Sequence, residues 1–309
     1  MPGLTAPPRR FLAACLLAVG LICLSQAGNL VRLAEAPVLA IAFWRLTAGA
    51  LVLAPLAVPQ LLRVRGVRPW TALLLGAVFF FAHFVLWFFA VKHTTVANAM
   101  LLFAANPLFA AGLGALVLGD RADRRTLLAI AGGVAGTALT TGGDIVLDPG
   151  HLSGNLAALA AGFAFAAYLV CGRFYRREGS VWGSFGGTLL VGAALSLAAV
   201  RTLAVPLTGF EPSTWLAMAA LVVFPTLLGH GSLNYAVKHV RPDVLSGLTL
   251  VEPALGGVVA WFLFHEAVPW TSWVGYALIT ASAVLLVRHQ LQTMRDATPE
   301  TLVAQVDAG

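Results

Sequence analysis

Residues 90–120 read AVKHTTVANAMLLFAANPLFAAGLGALVLGD, and residues 236–266 read AVKHVRPDVLSGLTLVEPALGGVVAWFLFHE. Both open on Ala-Val-Lys-His, at Ala90 and again at Ala236, an offset of 146. The same offset carries Pro107 onto Pro253 and Asp120 onto Glu266. A constant register of this kind is the signature of an internal repeat. Outward from it lie ten apolar runs, at 11–30, 38–57, 70–91, 96–118, 126–146, 153–174, 182–201, 213–236, 242–264 and 270–288. Each is close to the about 20 residues that a membrane-spanning helix needs. The offset lays the first five runs onto the second five without a gap. Five is odd, so the halves have opposite orientation, with Lys92 outside and Lys238 inside. The expected fold is an all-α membrane protein of ten transmembrane helices in two inverted five-helix repeats. The repeats occupy 1–150 and 151–290, and 291–309 form a polar cytoplasmic tail. Two similar halves of opposite orientation can exchange conformations, which opens a central cavity to one side and then the other. Enzymes and receptors have no comparable need for this symmetry.

Composition supports the same reading. Of 309 residues, 59% are hydrophobic and 10% charged, against about 25% charged in soluble proteins. Mean hydropathy is +0.87. A soluble globular domain and a disordered chain are both excluded. The sequence pI of about 9.8 would suggest nucleic acid in a soluble protein. Here the basic residues sit between apolar runs and report topology, so no nucleic acid partner is expected. Alternate loops carry fifteen Lys and Arg on one side, among them Arg63, Arg121, Arg173 and Arg241, and three on the other, Arg32, Lys92 and Arg201. The positive-inside rule places both termini in the cytoplasm. Arg9 and Arg10, an apolar core and Ser25-Gln26-Ala27 mimic a signal peptide. The run is longer than a typical signal core, and its removal would spoil the repeat, so it is read as the first span. Cys15, Cys23 and Cys171 lie inside apolar runs without metal or redox spacing and read as small core residues.

Polar side chains at membrane depth are costly and mark candidate sites. Glu252 stands in mid-span before Pro253, which lacks a backbone donor and disturbs the helix. A carboxylate there can take up and release a proton, giving a proton-coupling or substrate-binding role. It can equally be a neutral hydrogen-bonding group between helices. Asn106 maps onto Glu252 under the repeat, so one half offers an amide where the other offers a carboxylate. Asn98 precedes Asn106 by eight residues. Arg45 lies about 12 Å into the second run at 1.5 Å per residue. It can snorkel, pair with Glu35 or face the cavity, as a structural or a substrate anchor. In the last case it would attract a substrate carboxylate. His83 and Trp87 share a helix face, as do His230 and Asn234 on the mated run. The histidines differ by 147, one off the repeat register, so they need not point the same way. Both pairs read either as cavity walls or as helix–helix hydrogen bonding. Tyr168 is a candidate for stacking on substrate or a core aromatic. No metal site or cofactor is expected. The small-xxx-small faces Gly132/Gly136 and Ala277/Ala281 allow close contact, within the chain or across a homodimer seam.

Three segments carry a resemblance to a known family. They are Phe43-Trp44-Arg45-Leu46, then Asn106-Pro107-Leu108-Phe109 to Leu118-Gly119-Asp120, then Val251-Glu252-Pro253 to Phe264-His265-Glu266. Together with the span count they resemble the EamA family of the drug/metabolite transporter superfamily, over about residues 10–290. The resemblance implies a bacterial inner-membrane transporter that exports amino acids or other small metabolites. Phosphate-recognising relatives carry paired basic residues, and a single buried Arg argues against phosphorylated substrates. No GxSxG, HExxH, Walker A or dinucleotide-binding motif occurs. Without a Walker A, transport is secondary. The expected partners are a small neutral or zwitterionic substrate and the lipid bilayer. The rivals are a transporter of sugars, nucleosides or drugs, and an intramembrane enzyme or receptor.

Overall fold

A computed structural model describes residues 7–94, 96–140, 149–238, 240–264 and 270–296. Among them there are helices and no strands. Apolar runs of this length in lipid must satisfy every backbone group within the segment, which a helix does. The first half contains α1 (Pro7–Ser25), a short α2 (Ala27–Leu33), α3 (Val38–Leu61), α4 (Val67–His93), α5 (Val96–Phe103), α6 (Asn106–Leu113) with a π-helical continuation Gly114–Leu118, and α7 (Arg124–Thr140). The second half contains α8 (Leu152–Tyr175), α9 (Val181–Thr202), α10 (Pro212–Leu221), a π-helix Val222–His230, α11 (Gly231–Ala236), α12 (Pro242–Thr249), α13 (Glu252–Phe264) and α14 (Trp270–Asp296).

Among the described residues, seven helical stretches are long and apolar enough to cross a membrane. The expected runs at 11–30, 126–146 and 242–264 are outside that set. Within them, α7 is 17 residues long and begins with two arginines, and the last run is divided into helices of 8 and 13 residues.

The repeat register survives folding to the residue. In the first half the helix breaks between Phe103 and Asn106, and in the second between Thr249 and Glu252. Adding 146 to one break gives the other. The cause is a proline directly after each restart, Pro107 and Pro253, which supplies no N–H to the carbonyl four residues back.

Packing between halves follows the same offset. The four largest cross-half contacts are α3 with α9, α4 with α8, α7 with α14, and α1 with the π-helix Val222–His230. Exchanging the halves maps α3–α9 and α7–α14 onto themselves. It maps α4–α8 onto the contact between the π-helix and α1. The contacts are therefore those of a pseudo-two-fold bundle. Its interior is one cluster drawn from both halves, including Leu46, Phe80, Phe165, Leu189, Leu233 and Leu245. Leu51, Leu116, Leu216 and Phe262 are exposed on the perimeter, where lipid would cover them.

The α7–α14 seam shows which small residues are used. A methyl group on Gly136 would meet the Gly275 carbonyl at 2.9 Å, and one on Gly132 would meet Ser282 Oγ at 2.7 Å. The partner stripe on α14 is thus Gly275, Ile279 and Ser282, while Ala277 and Ala281 face outward. The Gly132/Gly136 face packs within the chain. Gly136→Val is expected to cost about 1–3 kcal/mol through overpacking, read as a lower midpoint for heat-induced loss of monodisperse purified protein.

Candidate functional site

The interior side chains belong to two facing walls. On α4, Phe80, Phe84 and Phe88 recur every four residues and share one face. Adding 146 gives Thr226, His230 and Asn234 on the mated segment. One half thus presents three aromatic rings where the other presents three polar groups. The walls meet: the His230 ring lies 4.9 Å from Phe80 and 5.9 Å from Phe84, centroid to centroid. His83 also reaches this cluster, with ring centroids 5.2 Å from Phe84 and 5.1 Å from Phe165. The repeat mate of His230 is therefore Phe84 and not His83, yet the two histidines converge on the same rings.

The π-helix on the polar wall has a local cause. Pro225 supplies no N–H to the Leu221 carbonyl. The Thr226 hydroxyl donates to that carbonyl instead, at 2.9 Å. The same Thr226 oxygen accepts from Arg45 Nε at 2.6 Å. Arg45 is 4% exposed, and its guanidinium carbon sits 4.6 Å from the Phe84 ring centroid. It neither snorkels to the surface nor pairs with Glu35. Its Nη2 is buried without a hydrogen-bond partner, and so is His230 Nδ1. Two donor-capable atoms on opposite halves therefore lie unpartnered in one interior, a costly arrangement for groups held away from water.

Asn106 and Glu252 occupy mated positions in different conditions. Asn106 is fully buried. Its Nδ2 donates to the Phe103 carbonyl at 3.0 Å, the carbonyl that Pro107 leaves without a donor. Its Oδ1 accepts from Ser246 Oγ across the interface between halves. Glu252 is half-buried and lies within electrostatic reach of Arg45. The two do not form an ion pair with each other.

The remaining candidates divide. Tyr168 is buried, accepts a hydrogen bond from Asn234 Nδ2, and lies with its ring 4.6 Å from Phe80. Asn234 also donates to the His230 carbonyl at 2.8 Å. His83 Nδ1 faces the Ala161 carbonyl at 3.3 Å. Trp87 packs on Phe103 with centroids 5.0 Å apart. The Asn98 side chain lies outside the described residues. Thr226, Phe84 and Ser246 escape the sequence reading. Thr226 follows an intramembrane proline, and Phe84 is the repeat mate of a histidine, so both carried a usable signal. Among the described residues no group of three metal-ligating side chains forms.

At one end of the bundle, arginines link the two halves. Gly119, in a left-handed conformation at φ 76°, lets Asp120 N–H return to the Gly114 carbonyl at 3.1 Å and ends the π-helical turn. Asp120 then meets Arg173 Nε at 3.0 Å. Arg173 Nη1 donates to the carbonyls of Val237 at 3.1 Å and Val240 at 3.0 Å. Arg177 Nη2 donates to the Leu118 carbonyl at 3.2 Å. One side chain thus ties three chain segments together.

Comparison with known proteins places these features in a family. The family model of the EamA-like transporters matches residues 11–142 and again 152–288. An uncharacterized transporter from Archaeoglobus fulgidus is 30% identical over 251 residues, covering 81% of this chain and 87% of its own. A probable terminal-alkyne amino-acid exporter from Streptantibioticus cattleyicolor is 27% identical, covering 82% of this chain and 85% of its own. A crystal structure at 22% identity superposes with a TM-score of 0.78 over 91% of this chain and 98% of the other, a likeness of fold alone.

Proposed function

The chain belongs to the EamA-like transporter family, and from that premise we propose that it exports small zwitterionic metabolites, amino acids foremost, across a bacterial inner membrane. In this reading ten spans form two inverted five-helix halves, both termini are cytoplasmic, and the halves rock about a central site. The observation that carries the substrate class is the pair Arg45 and Glu252. They are opposite charges from opposite halves, within electrostatic reach yet not paired with each other. A zwitterion bridges such a pair, its carboxylate on Arg45 Nη2 and its ammonium on Glu252. The aromatic wall then receives an apolar side chain, and His230 Nδ1 supplies a further polar contact. The amino-acid exporter among the relatives is consistent with this assignment.

Glu252 also gives the coupling. It binds a proton when the substrate amine leaves and releases it on the return, so proton entry drives substrate exit. The test compares metabolites in the medium of cells overproducing wild type or Glu252→Gln. Accumulation of amino acids outside only with wild type is the expected result. Equal accumulation with both leaves export standing and removes the proton role. No movement of any amino acid with wild type overturns the export reading.

A further inference from the structure

Three prolines interrupt helices in the interior of this bundle, and each leaves a carbonyl without its helical donor. Pro107 frees Phe103, Pro225 frees Leu221 and Pro253 frees Thr249. At the first, the side-chain amide of Asn106 donates to Phe103 at 3.0 Å. At the second, the hydroxyl of Thr226 donates to Leu221 at 2.9 Å. In both cases the donor is a residue adjacent to the proline. At the third, the adjacent residues are Glu252 and Ala254, and the offset of 146 lays Glu252 on Asn106 and Thr249 on Phe103. A carboxylate has no hydrogen to give. A carboxylic acid has one.

We propose that protonated Glu252 donates its carboxyl O–H to the Thr249 carbonyl and so completes the third helix break as Asn106 completes the first. Loss of the proton removes the donor and sets a negative charge beside the carbonyl dipole, so the α12–α13 junction loosens. The inference rests on the proton role given to Glu252 above and adds the atom that reads the proton. The two breaks are then unequal by construction. Asn106 holds the α5–α6 break permanently and is fixed further by Ser246 of the other half. Ser246 has Met100 as its repeat mate, which offers Glu252 no comparable hydrogen bond. The break in the second half is thus the one that can change.

The surroundings of Glu252 are sparsely charged. α13 packs on α1, α2, α7 and α14. α2 presents Asn29, whose amide donates to the Gly256 carbonyl at 3.2 Å, and carries Arg32. α14 presents Tyr276 near Gly257, and its basic residues Arg288 and Arg295 are at the far end. Arg124 and Arg125 begin α7, and the described side chains of α1 include no charged group. The charge that acts on Glu252 is Arg45.

Hydrogen–deuterium exchange of purified full-length protein, corrected for intrinsic rates, tests the proposal at the 249–256 segment. Wild type should exchange there about tenfold faster at high pH than at low pH, the scale of one lost hydrogen bond in a buried setting. Glu252→Gln keeps a donor at every pH, so its exchange should stay slow throughout. Glu252→Leu should exchange fast throughout. Asn106→Asp should transfer the pH response to the 103–110 segment. A wild-type junction indifferent to pH, or a Gln variant that behaves like Leu, overturns the proposal. If the junction responds to pH while Glu252→Gln exports as well as wild type, the local switch stands and the coupling reading falls. If the junction is indifferent while Glu252→Gln abolishes export, the coupling reading stands and this proposal falls.

Discussion

Replacing Arg45 with methionine is expected to reduce amino-acid export about 100-fold while leaving the amount of folded protein unchanged or higher. The two effects have opposite signs for one reason. Arg45 is buried, with Nε on Thr226 and Nη2 on nothing. Desolvating an unpaired guanidinium costs free energy that one neutral hydrogen bond and a nearby ring offset only in part. An apolar side chain of similar reach removes that cost. Transport loses what the arginine keeps in reserve. A charge-assisted hydrogen bond to a carboxylate is worth about 1.5–3 kcal/mol, and Glu252 loses the charge that balances it. Arg45→Lys preserves the charge but not the planar fork, and about a tenfold loss is expected. Initial rates in proteoliposomes, beside thermal midpoints of the same preparations, measure both. Export within twofold of wild type in Arg45→Met would make Arg45 a structural anchor only.

Arg173→Ala is expected to open the end of the bundle where its side chain links the two halves. Arg173 holds Asp120 from the end of one broken helix, and the Val237 and Val240 carbonyls from the approach to the other. Both ion-pair partners are about one quarter exposed, so solvent weakens the pair but does not remove it. Losing these bonds should shift the open–closed equilibrium by roughly 1.4–2.7 kcal/mol, or about 10- to 100-fold. The readout is the labelling rate of Val244→Cys, which is buried just behind the clamp at the start of α12. The native Cys15, Cys23 and Cys171 are replaced in that background. Asp120→Asn should move the rate the same way by less. An unchanged labelling rate in Arg173→Ala would mean that packing alone closes this end.

Much of the architecture is legible in the sequence because it depends on period and register. Apolar runs of spanning length and the recurrence at 146 need no tertiary information, and Pro107 and Pro253 announce broken helices. Direction is another matter. Arg45 has three plausible exits from its helix. The choice of the interior depends on Thr226 and Phe84, which are remote in sequence. The histidines look mismatched by one position because attention falls on residue identity. Structural equivalence pairs His230 with Phe84, and chemical likeness between mates is lost where the walls differ in role. Ala277 and Ala281 fit a close-packing pattern, but the stripe two positions earlier offers Gly275 and Ile279 to Gly136. Helical spacing alone does not say which of two small-residue stripes faces a neighbour. The short α2 lies beside an apolar run that gives no sign of irregularity, whereas Pro225 marks a disturbed helix without saying that the turn widens into a π-helix.

The unequal walls bear on the resting state. If one access state becomes the other by exchanging the geometries of the α4–α8 seam and its mate, a chain with two identical halves would occupy both states equally. Any preference must then come from mated positions that differ. Here they differ where the seams are made: Phe79 meets Phe163 and Phe80 meets Tyr168 in one, and Gly20 meets Ser232 and Leu24 meets Gly229 in the other. The molecule's waiting population is in this sense a difference between two drafts of one gene segment. Swapping a single pair of mated residues should reset it by an amount set by that pair alone.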